Sequence, residues 1–585
     1  MKIPNNLNGY KLFSALGIFI LGLDFLAIVI TLFSIFYWPI LAIYLLAGVA
    51  LLITLFFHNR KKLNWLQITS ISLLSFLTIL LFSSHAEPSV FSGRDQGSFS
   101  EAAVRLAQNH KLQFETSASQ EFFKVYGPGT ALNFPGFSYT QSGKLITHFS
   151  LGYIAWLATF YSLFGLYGLL AANGVLFFFF SLSFFALIRH HSNKRTAWLG
   201  LLLALGTFIL TWFLKFTLSE NLALGFIWFG IFEFSLFLRN RDQLFFFSAL
   251  MAFSLLAFTR LEAWALLVML GVILYVIHKK DRTIFSKIKL RNFYWFLGIF
   301  LTTYLITLKV NSQFYLSSLK GLLRSFSSGE DGLSIASTLI YLLKIFHYYN
   351  VLIFLVIGAL GISYLLYRKK YSLLIPFFIL LPLCIYLVHP GISTDHPWML
   401  RRFSFAIIPL GIFYTALTAN RLFFKKIYFF FLATLLVATN SAFSLPYANF
   451  SENQGLLIQV KKLSETFSNT DLVLVDQLAS GDGWSMIGAP MSFLYGKQAV
   501  YFFNTNDFAK IDLKKFTNTY LIIPDRNIAL YENFDLSKKA PPQEEYRLER
   551  KYLIVPNLSR DSNFSQELPI TFQSETKGKV YLLKQ

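Results

Sequence analysis

Four groups of charged residues stand beside long apolar runs: Arg94-Asp95, Ser219-Glu220, Arg260 with Glu262, and Asp395-His396 with Arg401-Arg402. Ionisable side chains at membrane depth are costly, and where they occur they mark sites of function. A carboxylate in such a set can take a proton from a hydroxyl. An arginine fork matches the geometry of phosphate. Asp95 is the candidate base. It follows the apolar run 64–84 and precedes a pattern of Phe99, Ala102, Ala103, Leu106 and Ala107, the stripe of a helix lying on a surface. Ser98 and Glu101 read as an S-x-x-E capping box at the start of that helix. Asp95 then lies just before a helix N-terminus, whose dipole favours the ionised acid. Each group also has a plain structural reading. Asp is a preferred N-cap, Glu220 can end a helix at an interface, Arg260 and Glu262 can pair with each other, and Arg401 and Arg402 can snorkel as anchors. Their joint placement carries the functional reading.

The elements that must position these groups are membrane spans. The chain has 585 residues, 55% hydrophobic, with a mean hydropathy of +0.53. Runs of about 20 apolar residues, enough to cross a bilayer, recur along it, and about 11–13 spans are expected. The first run follows a short polar N-terminus and is too long for a cleaved signal, so it is expected to be retained. The net charge of +21 does not point to nucleic acid. No basic stripe is interleaved with aromatics on a soluble segment, and Lys and Arg gather in short loops between spans. Those loops carry Arg60, Lys61, Lys62; Arg189, Lys194, Arg195; Arg239, Arg241; Lys279, Lys280, Arg282, Lys287, Lys289, Arg291; Arg368, Lys369, Lys370; and Arg421, Lys425, Lys426, opposed only by Asp242 and Asp281. Such loops face the cytoplasm. A cytoplasmic N-terminus then places all four charged groups on the outer face, at the ends of spans. The stretch 149–188 fits this parity if Phe149–Gly165 is an interfacial or re-entrant helix and Ala171–Ile188 a single span. The loop after 309, with Arg324, Glu330 and Asp331, also falls outside.

Two segments stand apart from the spans. Residues 85–150 form a long, nearly charge-balanced outer loop. After Pro446 no run reaches span length, and a helical pattern at Leu456–Phe467 alternates with β-like runs at Leu472–Val475, Ala499–Phe503, Tyr520–Ile523 and Tyr552–Val555. The expected architecture is an all-α polytopic membrane domain over 1–445 with a small extracytoplasmic α/β domain over 446–585. The lone Cys384 excludes an intrachain disulfide. No His/Cys/Asp grouping has metal-ligand spacing, and no cofactor is expected, although a divalent metal stays open.

Several short motifs resemble the GT-C class of integral-membrane glycosyltransferases, especially the protein O-mannosyltransferase and aminoarabinose-transferase branches. They are Asp95, Phe99, Ala103 and Leu106 after a span; His148–Gly165; the carboxylate beside Ser219; Thr259-Arg260-Leu261-Glu262-Ala263; and Arg401-Arg402-Phe403 with Pro409. The chain departs from the pattern at Ser150-Leu151 and Leu261, where proline is usual, and in the three apolar runs before the first carboxylate. The resemblance implies transfer of a sugar from a polyprenyl-phosphate donor in the bilayer to a hydroxyl of a protein, lipid or glycan acceptor, with inversion. It implies Asp95 as general base and Arg401, Arg402 or Arg260 as partner of the leaving phosphate; Arg94, Glu220, Glu262, Asp395 and His396, from the same outer-face charged groups, are the further candidates for the substrate site. A transporter or flippase of lipid-linked sugars is the alternative that the spans and outer charges also fit. A membrane scaffold for the C-terminal domain is a third.

Overall fold

The computed structural model describes residues 7–59, 65–312, 314–316, 320, 335–388, 396–422, 426–481, 487–534, 542–554 and 568–583. Arg60, Lys61, Lys62, Arg324, Glu330, Asp331, Asp395, Lys425 and Val555 lie outside them.

The apolar runs fold as a helical bundle. Its helices are α1 (Leu7–Leu32), α2 (Trp38–Asn59), α3 (Trp65–Ser83), α4 (Asp95–Asn109), α5 (Ser117–Tyr126), α6 (Leu151–Phe164), α7 (Gly168–His191), α8 (Lys194–Gly206), α9 (Phe208–Phe213), α10 (Ser219–Asn240), α11 (Gln243–Leu256), α12 (Ala263–Lys280), α13 (Leu290–Val310), α14 (Ile335–Tyr348), α15 (Leu352–Tyr367), α16 (Ile375–Leu380), α17 (Arg401–Ser404), α18 (Ile407–Leu422) and α19 (Lys426–Ser444). α10 is hydrophobic all round and buried from Ser219 to Phe237, the pattern of a helix at the centre of a bundle. It packs on α7 and α11. Large apolar side chains of the peripheral helices, such as Leu46, Leu66, Val268, Tyr294 and Phe431, point outward. In water such a surface would aggregate; in a bilayer it faces lipid. The protein is a multi-pass membrane protein.

Among the described residues, eight helices are long and apolar enough to cross a membrane, and up to ten if each of two bent pairs is one span. The bent pairs are Thr338–Tyr348 with Leu352–Tyr367, at 114°, and Trp398–Ser404 with Ile407–Leu422, at 55°. The run 372–388 is an interrupted helix because Pro376 and Pro382 remove backbone donors along it. The stretch 149–188 folds back on itself across Gly165–Tyr167. Tyr153 donates to Asn173 Oδ1 at 2.6 Å and the Trp156 indole to the Ala172 carbonyl at 3.2 Å. α6 is therefore a short helix doubled against α7.

One end of the bundle carries the basic loops, where Lys11 pairs with Asp242 at 2.8 Å and Arg241 with Asp281. The opposite end carries residues 85–150 and the chain after α19. There β1 (Gly129–Thr130), β2 (Phe137–Tyr139) and β3 (Leu145–Thr147) make a small antiparallel sheet. The last segment has α20 (Leu456–Ser464), β4 (Leu472–Asp476), α21 (Gly488–Phe493), β5 (Gln498–Phe502), β6 (Thr519–Pro524), β7 (Pro542–Ile554) and β8 (Ile570–Leu583). They form a five-stranded sheet in the order β5-β4-β6-β8-β7. β4 runs parallel to β5 and β6, while β8 is antiparallel to β6 and β7. Leu472–Val475 and Leu521–Ile523 are buried on both faces, which is why the central strands read as unbroken apolar runs.

This C-terminal domain sits on the 85–150 segment. Arg105 donates to Ser492 Oγ at 2.7 Å, Gln108 to the Phe493 carbonyl at 2.9 Å and Asn133 to the Tyr501 carbonyl at 2.7 Å. Glu121 pairs with Lys124 at 2.8 Å and with Lys515 at 2.6 Å. Lys215 is buried and donates to the carbonyls of Tyr447 at 2.6 Å, Ala448 at 3.2 Å and Phe450 at 2.6 Å. Its ammonium thus caps the end of the last span where the domain begins. α4 consequently differs from the surface helix expected from its stripe. Gln96–Leu106 are buried all round, because α6 covers one face and the C-terminal domain the other.

Candidate active site

α4 begins at Asp95, three residues before the expected capping box. Ser98 therefore lies inside the first turn, and its amide already bonds the Arg94 carbonyl. Glu101 accepts instead from Ser92 Oγ at 2.7 Å and lies 3.8 Å from Arg105. Asp95 occupies the first helical position of α4. Two hydrogen bonds register α4 on the start of α10. Thr217 Oγ1 donates to the Gln96 carbonyl at 2.7 Å and also contacts Ser100 Oγ at 2.8 Å. The turn before Glu220 is held from α7, since Asn173 donates to the carbonyls of Leu214 at 3.1 Å and Phe216 at 2.8 Å.

The Arg260–Glu262 turn is set by α6. The Gly152 amide bonds the Phe258 carbonyl at 2.9 Å. A Cβ at Gly152 would meet Thr259 Oγ1 at 2.3 Å, so the backbones approach this closely only because residue 152 is glycine. Arg401 and Arg402 arrive on the short helix α17, below the bend into α18.

These elements bring six charges together. Arg401 lies 2.6 Å from Asp95 and 3.8 Å from Glu220. Arg260 lies 3.2 Å from Glu220 and 2.8 Å from Glu262, donates to Ser219 Oγ at 3.2 Å, and stacks on the Phe405 ring. Tyr386 donates to Glu262, and Arg402 lies over the Tyr386 ring, with one guanidinium nitrogen 3.4 Å from its hydroxyl. Burial disfavours the Arg260 charge, but Glu262 and Glu220 outweigh it and raise the guanidinium above its ordinary value. Burial likewise opposes ionisation of Glu262, yet Arg260 holds its carboxyl below the usual range.

Within this balanced set two groups differ from the rest. The Glu220 side chain is 6% exposed and that of Glu262 27%, whereas that of Asp95 is 41% exposed; Asp95 is the carboxylate of the cluster most open to solvent. Arg402 has no carboxylate within ion-pairing distance among the described residues, and its buried Nε has no hydrogen-bond partner. It is the cation left available to an added anion.

The other sequence candidates fall at the margin. Arg94 lies over the Trp398 ring. His396 Nδ1 is 2.9 Å from the Tyr349 hydroxyl, so that face of its ring is turned to Tyr349. Asp395 is outside the described residues. Among the described residues no group of three or more His, Cys, Asp or Glu is placed to hold a metal. Ser219 joins the cluster from one of the four groups, and Tyr386 joins it as a residue that the sequence does not mark. Tyr386 sits in an apolar run whose composition reads as an ordinary span, and nothing local marks it.

A bundle of this kind, with a cluster of arginines and carboxylates at the end covered by a small α/β domain, defines the class as a polytopic membrane protein with a polar site at one membrane face. No protein-family model matches the chain, and no curated protein matches it. Among solved structures it is similar to ArnT from Cupriavidus metallidurans in the apo state, at 11% identity over 89% of this chain and 98% of that chain, with a TM-score of 0.49. The same ArnT bound to undecaprenyl phosphate matches at 10% identity over 89% and 97%, with a TM-score of 0.47. The oligosaccharyltransferase of Archaeoglobus fulgidus in the apo form matches at 12% identity over 78% and 70%, with a TM-score of 0.47. At such identities the chemistry has to be read from this chain's own residues.

Proposed function

We propose that the protein is a membrane glycosyltransferase that moves a sugar from a polyprenyl-phosphate donor to an acceptor hydroxyl on the outer face. The basic loops at the far end of the bundle support that orientation. The observation that carries the reading is the presence of opposites in one charge cluster: a solvent-open carboxylate, Asp95, paired to Arg401, and a guanidinium, Arg402, that lies against Tyr386 and has no carboxylate within ion-pairing distance among the described residues. Group transfer from a lipid phosphate to a hydroxyl needs both.

The acceptor oxygen attacks the anomeric carbon while Asp95 takes its proton. The bond from that carbon to the phosphate oxygen breaks, and the electron pair leaves with the lipid phosphate. A single displacement of this type inverts the anomeric centre. The departing phosphate gains negative charge, which Arg402 meets with charge-assisted hydrogen bonds. Arg401 sits between Asp95 and Glu220. It holds Asp95 in place, and the Glu220–Arg260–Glu262 chain fixes Arg401 from behind. Tyr386 orients Arg402 through its ring and hydroxyl.

The test is release of radiolabelled sugar from polyprenyl-phosphate donors by the purified protein, wild type beside Asp95→Asn. A positioned general base contributes about 10²–10⁴-fold in rate, and the isosteric amide should lose at least that factor while folding normally. Equal rates would remove Asp95 from the mechanism.

A further inference from the structure

The ribbon formed by β7 and β8 changes character along its length. On the side of the sheet core its two strands carry charge, with Glu545 opposite Lys579, Arg547 opposite Lys577 and Glu549 opposite Glu575. Arg547 and Lys577 both reach Glu575, at 2.8 and 3.2 Å. Beyond the pair Lys551 and Gln573 the charges stop on both strands at the same register. The next pairs are Tyr552 with Phe572, Leu553 with Thr571 and Ile554 with Ile570. Ile570 is 52% exposed and Phe572 41%, although the Tyr552 and Phe572 rings pack with centroids 5.5 Å apart. Apolar side chains gathered at one end of a ribbon and left open mark a surface that is covered by something else.

The position of that end says what covers it. The Tyr447 hydroxyl donates at 3.4 Å to the carbonyl of Pro569, the residue before Ile570. On the other strand the Asn453 amide donates to the Lys551 carbonyl at 2.7 Å. Tyr447 stands three residues after α19, where its own carbonyl takes Lys215. The outward apolar side chains of the last span, Phe431 and Leu435, are followed at its end by the exposed Leu445. The lipid-facing surface of the bundle and the apolar end of the ribbon are therefore continuous. The ribbon's backbone sets how deep it can go. β8 pairs with β6 only from Gly578 onward, so among the described residues the apolar end is two-stranded with both edges open. Open edges do not occur in the hydrocarbon core, where nothing satisfies their amides and carbonyls. The three apolar pairs, at about 3.3 Å per residue, give about 10 Å of ribbon, which matches the depth of segments that lie at the boundary of headgroups and acyl chains. Aromatic rings favour that boundary, and water and headgroups there can meet the strand edges.

We propose that the apolar end of the β7–β8 ribbon inserts into the membrane interface beside the end of α19, its partner being phospholipid. The C-terminal domain is then held at the membrane at two points, the end of the last span and the ribbon. This anchoring does not depend on which reaction the charge cluster performs.

The experiment measures depth on the full-length protein in phospholipid nanodiscs. Cys384, the only cysteine, is replaced by serine, and a nitroxide is attached in turn at Ile570→Cys, Phe572→Cys, the lipid-facing Phe431→Cys and the water-facing Lys577→Cys; each labelled protein is first checked for monodisperse folding. Electron paramagnetic resonance then compares collisions of the label with oxygen, which partitions into lipid, and with a water-soluble nickel chelate. The expected oxygen-to-nickel ratio at 570 and 572 is several-fold above that at 577 and approaches that at 431. Should the loss of the Phe572 ring disturb the ribbon, Ile570→Cys decides alone. A ratio at 570 equal to that at 577 would place the ribbon in water and overturn the proposal. A label at 570 shielded from both reagents would overturn it as well, since protein, a second copy or another chain, would then cover this end.

Discussion

Arg402 and Arg260 are neighbours in space, yet replacing them should have opposite consequences. In Arg260→Met, Glu220 and Glu262 lose a guanidinium at 3.2 and 2.8 Å. At an effective dielectric of about 20, each contact is worth roughly 5 kcal/mol of attraction before desolvation. Breaking a buried pair by removing one partner costs about 3–5 kcal/mol in practice. That loss is a large part of the stability a folded protein has. Arg402→Met removes a cation with no carboxylate partner and with one nitrogen already unpaired, and methionine keeps the contact with the Tyr386 ring. The folded state should be as stable as wild type or slightly more so. The cost falls on the donor. A hydrogen bond to a charged group contributes about 1.5–3 kcal/mol, and each 1.4 kcal/mol is about tenfold, so kcat/KM for the polyprenyl-phosphate sugar should fall roughly 10–150-fold. Thermal unfolding in detergent and sugar release, run on the same preparations, give both numbers. An Arg402→Met protein that is as unstable as Arg260→Met, or one that turns over donor normally, would refute the assignment of Arg402 as the free cation.

Two further outcomes follow from the contacts around the site. Lys215→Met should lower thermal stability by about 3 kcal/mol or more, since it leaves three carbonyls unpaired at about 1–3 kcal/mol each when water cannot reach them; unchanged unfolding would show that the end of the last span is held by packing alone. Glu121 gives a pH signature. Burial works against its charge, but hydrogen bonds from Lys124 and Lys515 outweigh it and lower its pKa. A depressed carboxyl stabilises above the unfolded value of about 4.3 and loses that contribution as pH falls through the folded value. Both lysines are about half exposed, so solvent screens each pair and the contribution is small. Hydrogen exchange in Ser117–Tyr126 should therefore rise modestly below about pH 4 in wild type, and a Glu121→Gln protein should show no such step.

The spans, the basic end and the charges that meet opposite it (Asp95, Glu220, Arg260, Glu262, Arg401) are legible in the sequence because composition and charge bias report directly on a bilayer, whereas Arg94 and His396 from the same groups face aromatic rings at the margin. The central strands of the C-terminal domain are legible for a related reason, since β4 and β6 are buried on both faces. β8 is not, and β7 begins well before the Tyr552–Val555 run. Both are rich in charge along their exposed stretches, as partly solvated ribbon strands are, and carry no apolar signal there. The doubling of α6 on α7 rests on side-chain bonds such as Tyr153 to Asn173, which no window of hydropathy contains. The spacing of Ser98 and Glu101 mimics a capping box and so points three residues past the true start of α4, while the actual partner of Glu101 is Ser92, on the chain before the helix. That Arg402 rather than Arg401 or Arg260 is left without a carboxylate depends on three-dimensional pairing alone. Adjacent arginines look identical in sequence.

The pairing of Asp95 with Arg401 also has a consequence for how the chain is made. Glu220, Arg260 and Glu262 are close together in the sequence and can associate as soon as their helices are inserted. Until then the cluster holds Asp95, Glu220 and Glu262 against Arg260 alone, an excess of negative charge at a membrane face. Arg401 and Arg402 emerge from the ribosome roughly 300 residues after Asp95, which at about 5–20 residues per second is on the order of 15–60 s. Their arrival neutralises the excess and draws α17 into place. A truncated or stalled product therefore leaves Asp95 at the membrane surface without its guanidinium partner, Arg401. The charge cluster is therefore complete only once the late helices have been threaded into the bilayer, and the proposed transfer has to wait for them.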